Sequence, residues 1–134
     1  MALLINNRLI SWQSKKQSTV ALSSTEAEYY ALTEAVKEAM FITQWFKHVM
    51  NQSIVPIVFE DNIGAQEMAD HSTNHNKTKH IDLRLFFIRD AVKAKAILIK
   101  RIASKDNIAD IFTKTVSSDV FKYLKKLIFV DLLC

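Results

Sequence analysis

Glycine, proline and cysteine are nearly absent from this 134-residue chain: each occurs once, as Gly64, Pro56 and Cys134. A single cysteine cannot form an intrachain disulfide, so nothing argues for an oxidising compartment, and an intracellular setting in cytoplasm or nucleus is expected. With one glycine and one proline there is no stretch with the composition of a flexible linker, and no internal repeat or low-complexity tract is found. No apolar run approaches the roughly 20 residues of a bilayer span, and the opening Met1-Ala2-Leu3-Leu4-Ile5-Asn6-Asn7-Arg8 lacks the basic flank and long apolar core of a signal peptide. No membrane partner is expected. Acids are missing altogether before Glu26.

What is present is enough for one folded core: 49% of residues are hydrophobic and 24% charged, which excludes a disordered polar tail. The net charge of +4 is unevenly spread. Residues 1–76 carry five Lys/Arg against eight acids, and residues 77–134 carry thirteen against six. A basic half suits a polyanionic partner such as nucleic acid, because cations that neutralise phosphates release counterions. An ordinary solvated surface has the same composition.

Residues 2–5 are apolar and Arg8-Leu9-Ile10-Ser11-Trp12 alternates, with Asn6-Asn7 between them, a pattern that predicts a β-hairpin. From Ser24 the spacing becomes helical. Tyr29, Leu32, Val36, Ala39, Ile42, Phe46 and Val49 form one stripe expected to be buried, with Thr25 and Glu28 at capping-box spacing. A strand is expected over Ile57-Val58-Phe59-Glu60, just after Pro56, followed by a short helix from Ile63 to Asp70 and a polar loop from His71 to Thr78. A helix from about Lys79 to Ala94 places Ile81, Leu85, Ile88 and Val92 on one face. A strand over Ala96-Ile97-Leu98-Ile99, a helix capped by Asp106 through Phe112, and a last helix over Ser118 to Phe129 complete a mixed α/β pattern.

Three acids fall at element ends, where sites on α/β folds usually lie: Glu28, Asp61 and Asp110. Each also has a structural explanation. Glu28 complements a helix dipole, Asp61-Asn62 can cap a helix, and Asp110 can be a solvated helix acid. Glu26 is a rival to Glu28.

Read together, four segments narrow the choice. Val20-Ala21-Leu22-Ser23-Ser24-Thr25-Glu26-Ala27-Glu28-Tyr29, Glu60-Asp61-Asn62, Lys77-Thr78-Lys79-His80-Ile81-Asp82 and Ala109-Asp110-Ile111-Phe112-Thr113-Lys114 resemble, in order, the ribonuclease H domain of copia-type LTR retrotransposon Pol polyproteins. Ile10-Ser11-Trp12-Gln13-Ser14-Lys15-Lys16-Gln17 extends the likeness, so it runs from about residue 8 to residue 115. The resemblance implies a ribonuclease H-like mixed sheet with flanking helices, and hydrolysis of the RNA strand of RNA–DNA hybrids by two Mg²⁺ or Mn²⁺ ions. Hard divalent ions take oxygen ligands, and paired ions need several converging carboxylates. By position, Glu28, Asp61 and Asp110 are the implied catalytic and metal-binding residues. Lys15, Lys16, Asn62, Lys77, Lys79, His80 and Arg84 are the candidate nucleic-acid contacts. The implied partners are a hybrid or other nucleic acid and the remaining Pol polyprotein, with its reverse transcriptase and integrase.

The family's first aspartate, on a central strand upstream of the hairpin, has no counterpart among these residues. The expectation is therefore a truncated ribonuclease H-like domain over 1–115, lacking the first central strand, with a C-terminal helical tail over 116–134. Such a domain would bind its ions weakly and be inactive, a remnant that binds nucleic acid without cutting it or a C-terminal fragment of a larger Pol protein. His71, His75 and His80 match no common zinc spacing, and no cysteine lies near them. Trp12, Tyr29 and Trp45 could stack on bases, although aromatics at such spacings usually fill cores.

Overall fold

The computed structural model describes residues 1–15, 24–62 and 79–129. Along the chain these form β1 (Ala2–Ile5), β2 (Arg8–Trp12), α1 (Ser24–Met50), β3 (Ile57–Glu60), α2 (Lys79–Lys93), β4 (Leu98–Arg101), two short 3₁₀ helices (Ser104–Asp106 and Ile108–Phe112) and α3 (Ser118–Ile128). The architecture is mixed α/β. The expected single mixed sheet is corrected: among the described residues there are two two-stranded sheets, β1 with β2 and β3 with β4, and no described strand joins them. The expected helix at 63–70 and loop at 71–78, with His71 and His75, lie outside the described residues.

The chain divides into two compact units. One comprises 17–101 and the other 1–16 with 102–134. In the first, α1, β3, α2 and β4 share one core in which Tyr29, Leu32, Val36, Ala39, Val58, Leu85, Ile88, Ala91 and Ile97 are buried, with Val36, Ile88 and Ile97 fully so. The 3.6-residue period of the two helices puts these side chains on facing stripes, and burial of that apolar area is the main stabilising term. The stripe of α1 ends earlier than its spacing predicts: Ile42 and Phe46 are only partly buried, and Val49 is 59% exposed, a correction to the expected buried stripe. The helix continues past the elements it packs on, so its last turns face water.

Strands β3 and β4 run parallel, with Ile57 opposite Leu98 and Glu60 opposite Arg101. Parallel neighbours need a long crossover, which α2 supplies within this stretch. The second strand begins two residues later than expected. Lys95 takes a left-handed conformation (φ 54°), and the amides of Lys95 and Ala96 donate to the carbonyls of Val92 and Ala91. That is a Schellman ending for α2, made with lysine where glycine is usual. Ala96 is thereby spent on the helix cap and Ile97 on the core, so the ladder opens with the Leu98 amide donating to the Pro56 carbonyl at 2.9 Å.

In the other unit, β1 and β2 pair antiparallel around Asn6 and Asn7, both at positive φ (50° and 60°) as a two-residue type I′ connection requires. The register steps by one residue between Leu3–Ser11 and Leu4–Leu9, leaving Ile10 as the extra residue of a bulge. Beyond the strands, the Gln13 amide donates to the Met1 carbonyl and the Met1 ammonium to the Gln13 carbonyl, each at 2.9 Å. Trp12 stacks on Phe112, with ring centroids 5.7 Å apart and planes 16° from parallel.

The helix expected over 106–112 is instead two 3₁₀ turns, and the cap is Asn107, whose side chain accepts from the Ala109 amide at 3.1 Å. Asp106 does not cap; it accepts a hydrogen bond from the Tyr123 hydroxyl at 2.8 Å, which raises the pKa of that phenol. Helix α3 is capped by Ser117, with Leu124 and Ile128 buried.

Candidate metal centre

Strand β3 alternates exposed and buried residues, so Val58 and Glu60 share the inward face. Glu60 is therefore carried into the core at the strand's end, 6% exposed, while the next residue, Asp61, is half-buried where the strand stops. Glu28 reaches the same place from the first turns of α1. One carboxylate oxygen from each of Glu28, Glu60 and Asp61 lies within 4.8 Å of the others. Oxygens sharing one ion at 2.0–2.6 Å ligand distances are at most about 4–5 Å apart, so the spacing fits one hard divalent cation.

The electrostatics point the same way. Burial pushes the Glu60 carboxyl up to about 7; the Asn62 amide, donating to Glu60 Oε1 at 2.9 Å, works against that, and the nearby Glu28 and Asp61 carboxylates add to it. Negative carboxylates held this close repel one another, and a bound cation would offset that repulsion, which is why converging carboxylates suit cations. Tyr29, beside Glu28 in sequence, is buried, and burial raises its hydroxyl pKa. Arg89 opposes that rise and Glu60 adds to it. Of the aromatics that could stack on bases, Tyr29 is thus a core residue. Trp45 packs edge-on against Phe46 and is half exposed.

Glu28 and Asp61 are thus brought together. Asp110 belongs to the other unit, in the second 3₁₀ turn, where its carboxylate is 2.9 Å from the Lys114 ammonium and only 16% exposed. Glu60 joins the corner although the sequence pattern at element ends points only to Glu28, Asp61 and Asp110. Its signal was its even spacing from Val58, which puts a carboxylate on the buried face of a strand.

Among the candidate nucleic-acid contacts, Lys15 is exposed and Asn62 is half-buried, its amide held by Glu60. The Arg84 guanidinium lies 4.1 Å from the centre of the Tyr30 ring and 3.7 Å from Glu34, which also takes Lys37 at 2.8 Å. Lys16 and Lys77 fall outside the described residues, as do the side chains of Lys79 and His80.

A mixed α/β chain with a convergent carboxylate corner is the class these observations define. Its relatives make it more specific. The chain is 38% identical over 119 residues to the retrovirus-related Pol polyprotein from transposon TNT 1-94 of Nicotiana tabacum, covering 89% of this chain and 9% of that protein. It is 36% identical over 114 residues to the corresponding polyprotein from transposon RE2 of Arabidopsis thaliana, and 33% identical over 114 residues to that from transposon RE1; each match covers 84% of this chain and 8% of the relative. The homologues of this chain are retrovirus-related Pol polyproteins of copia-type transposons, and it spans less than a tenth of their length. No protein-family model matches the chain. No solved structure matches it. Among the described residues, no helix is long and apolar enough to cross a membrane.

Proposed function

We propose that this chain is the ribonuclease H-like region of a copia-type Pol polyprotein, descended from an enzyme that hydrolyses the RNA strand of RNA–DNA hybrids. The observation that carries the reading is the meeting of Glu28, Glu60 and Asp61. These three carboxylates would hold Mg²⁺ or Mn²⁺, and for Asp110, in the other unit, the metal-binding role is proposed from the resemblance of its segment alone. When bound, such ions supply Lewis-acid activation of water and stabilisation of a leaving 3′ oxygen. The chain's own contribution is placement: β3 ends with two acids in succession, one inward and one half-buried, and α1 delivers Glu28 to them. Asn62 orders Glu60 by donating its amide to the carboxylate.

Lys15, Lys16, Asn62, Lys77, Lys79, His80 and Arg84 are proposed to contact the nucleic acid, and the rest of the Pol polyprotein, including reverse transcriptase and integrase, is the proposed protein partner. Cytoplasm or nucleus is the proposed location. Arg84 would contact a phosphate only by leaving Glu34, an exchange that costs little because exposed ion pairs are weak. These 134 residues alone are proposed to bind divalent ions weakly and to cut little hybrid, since only three carboxylates converge at the described corner.

Isothermal titration with Mn²⁺ tests the reading without relying on turnover. Binding should be measurable in the unaltered chain and lost in Glu28→Gln and in Asp61→Asn. Equal binding by all three proteins would refute the metal centre. Cleavage of hybrid RNA, assayed alongside, separates two forms of the proposal. Vigorous Mg²⁺-dependent cutting that Asp61→Asn abolishes would make Glu60 a sufficient third ligand. No cutting, with salt-sensitive hybrid binding retained, would favour a region that binds without cutting. That second reading is supported by the engagement of Asp110 with Lys114.

A further inference from the structure

Helix α3 buries one side and leaves the other to solvent. At roughly 100° per residue, Leu124 and Ile128 fall side by side and are buried in their unit, with Val120 and Leu127 half-buried next to them. Lys122, Lys125 and Lys126 fall on the far side, all exposed. Two aromatic residues share that side. Phe121, 47% exposed, borders Lys125 in helical projection, and Phe129, 54% exposed, falls between Lys125 and Lys122, its amide still donating to the Lys125 carbonyl at 3.1 Å. The carboxylates nearby are few. Asp106 accepts from the Tyr123 hydroxyl and Asp110 is held by Lys114, so the one acid on the helix itself is Asp119, in its first turn. Asp131 lies outside the described residues. Among the described residues, Lys122, Lys125 and Lys126 form no ion pair. The exposed side of α3 thus carries three unneutralised cations, with a single carboxylate at the opposite end of the helix.

We propose that this side of α3 is a contact surface for single-stranded nucleic acid, with Lys122, Lys125 and Lys126 on phosphates and Phe121 and Phe129 against unpaired bases. The inference rests on the nucleic-acid function proposed above and adds a surface outside the contacts named there. Charge complementarity selects a polyanion: three ammonium groups drawn from about 6 Å of helix concentrate positive charge, and placing phosphates on them releases counterions. The aromatic residues select which polyanion. A helix that lies on a membrane sinks a separate apolar face into lipid and keeps its lysines on the other. In α3 the apolar face is already buried in the unit, and the exposed phenylalanines are interspersed with the lysines. Cations and aromatic rings on one surface match a strand whose phosphates and unpaired bases alternate. Bases of a duplex are stacked on each other, so the rings favour single strands. Preference among sequences is slight, because a lysine ammonium is a point charge and every base offers a π face.

Anisotropy of a labelled oligo-dT, titrated with the full chain, tests the surface. At about 0.1 M salt, Lys122→Gln, Lys125→Gln and Lys126→Gln combined should weaken binding about 10- to 100-fold and lower the slope of log affinity against log salt by about 2, the share of three phosphates on a single strand. All three side chains are exposed, so this triple variant should melt with the unaltered chain. A control combining Lys47→Gln, Lys93→Gln and Lys100→Gln removes the same charge from other exposed positions and should leave affinity and slope nearly unchanged. Phe121→Ala with Phe129→Ala should cut the preference for oligo-dT over a blunt DNA duplex by about 5-fold or more. Equal losses in the two lysine triples would overturn the surface in favour of net charge alone. No loss in the α3 triple would overturn it and leave the nucleic-acid function standing. Absence of binding to any single strand, duplex or hybrid would overturn both. Binding to phosphatidylserine vesicles that the α3 triple abolishes, with oligo-dT binding unchanged, would overturn it in favour of a membrane.

Discussion

The two strand pairs of this protein form for different reasons. The β1–β2 hairpin closes within a dozen residues around Asn6-Asn7, and its partners meet because the intervening turn can do little else. The β3–β4 pair joins segments nearly forty residues apart, in parallel, and exists only because α1 and α2 supply a core for its inward face. Local pairing costs little loop entropy, whereas distant pairing has to recover that cost from packing. The carboxylate corner sits at the end of the second pair, so the proposed chemistry depends on the less local of the two structures.

The contrast is broken hardest by Ile88→Ala. Ile88 has no exposure and shares its core with Val58 of β3, so truncation should cost about 2–5 kcal/mol. Hydrogen exchange should show β3 and β4 opening while the hairpin amides keep their protection; equal loss in both strand pairs would mean that they fold as one unit.

A comparable effect is expected from pH, with the sign set by Glu60. Its folded pKa, about 7, is above the ordinary 4.5, so the folded state binds the proton more tightly than the unfolded one. Metal-free stability is therefore greatest below about pH 4.5 as far as this group is concerned, and is lost as pH rises through about 7. The difference is on the order of 3 kcal/mol. Denaturant melts in chelator at pH 5 and pH 8 should show the fall, and Glu60→Gln should flatten it. A Glu60→Gln protein with the same pH dependence would remove Glu60 as its source.

The smallest effect belongs to the hairpin. Asn7→Val places a β-branched residue at φ 60° and should cost about 1–2 kcal/mol, read as faster exchange in β1 and β2 with the parallel pair unaffected. Unchanged hairpin protection would show that the turn does not control this register.

These same differences explain how much was legible beforehand. The hairpin, the long helix, strand Ile57–Glu60 and the helix from Lys79 are read directly from periodicity and turn residues, because each depends on neighbours a few positions away. The start of β4 was not, because Lys95 ends α2 in a left-handed turn that lysine rarely makes, and the ladder had to wait for it. Nor was the length of the buried stripe of α1. Val49 repeats the helical spacing, but no described element covers it, and spacing carries no information about where a partner ends. In the site, Glu28 and Asp61 stand out by their positions at element ends, whereas Glu60 precedes Asp61 inside the strand. Asp106 offered an ordinary cap in sequence, yet Tyr123 claims it from seventeen residues away.

The sequence by itself determined the local elements, the acid-free basic opening and the kinship with transposon Pol polyproteins, since these depend on residue order and short-range sterics. Only the tertiary structure decided that Glu60 meets Glu28 and Asp61, and that Trp12 lies flat on Phe112. Both are meetings of side chains brought from separate elements, and such meetings are set by which faces the core accepts, a property of the packed chain that no local pattern encodes.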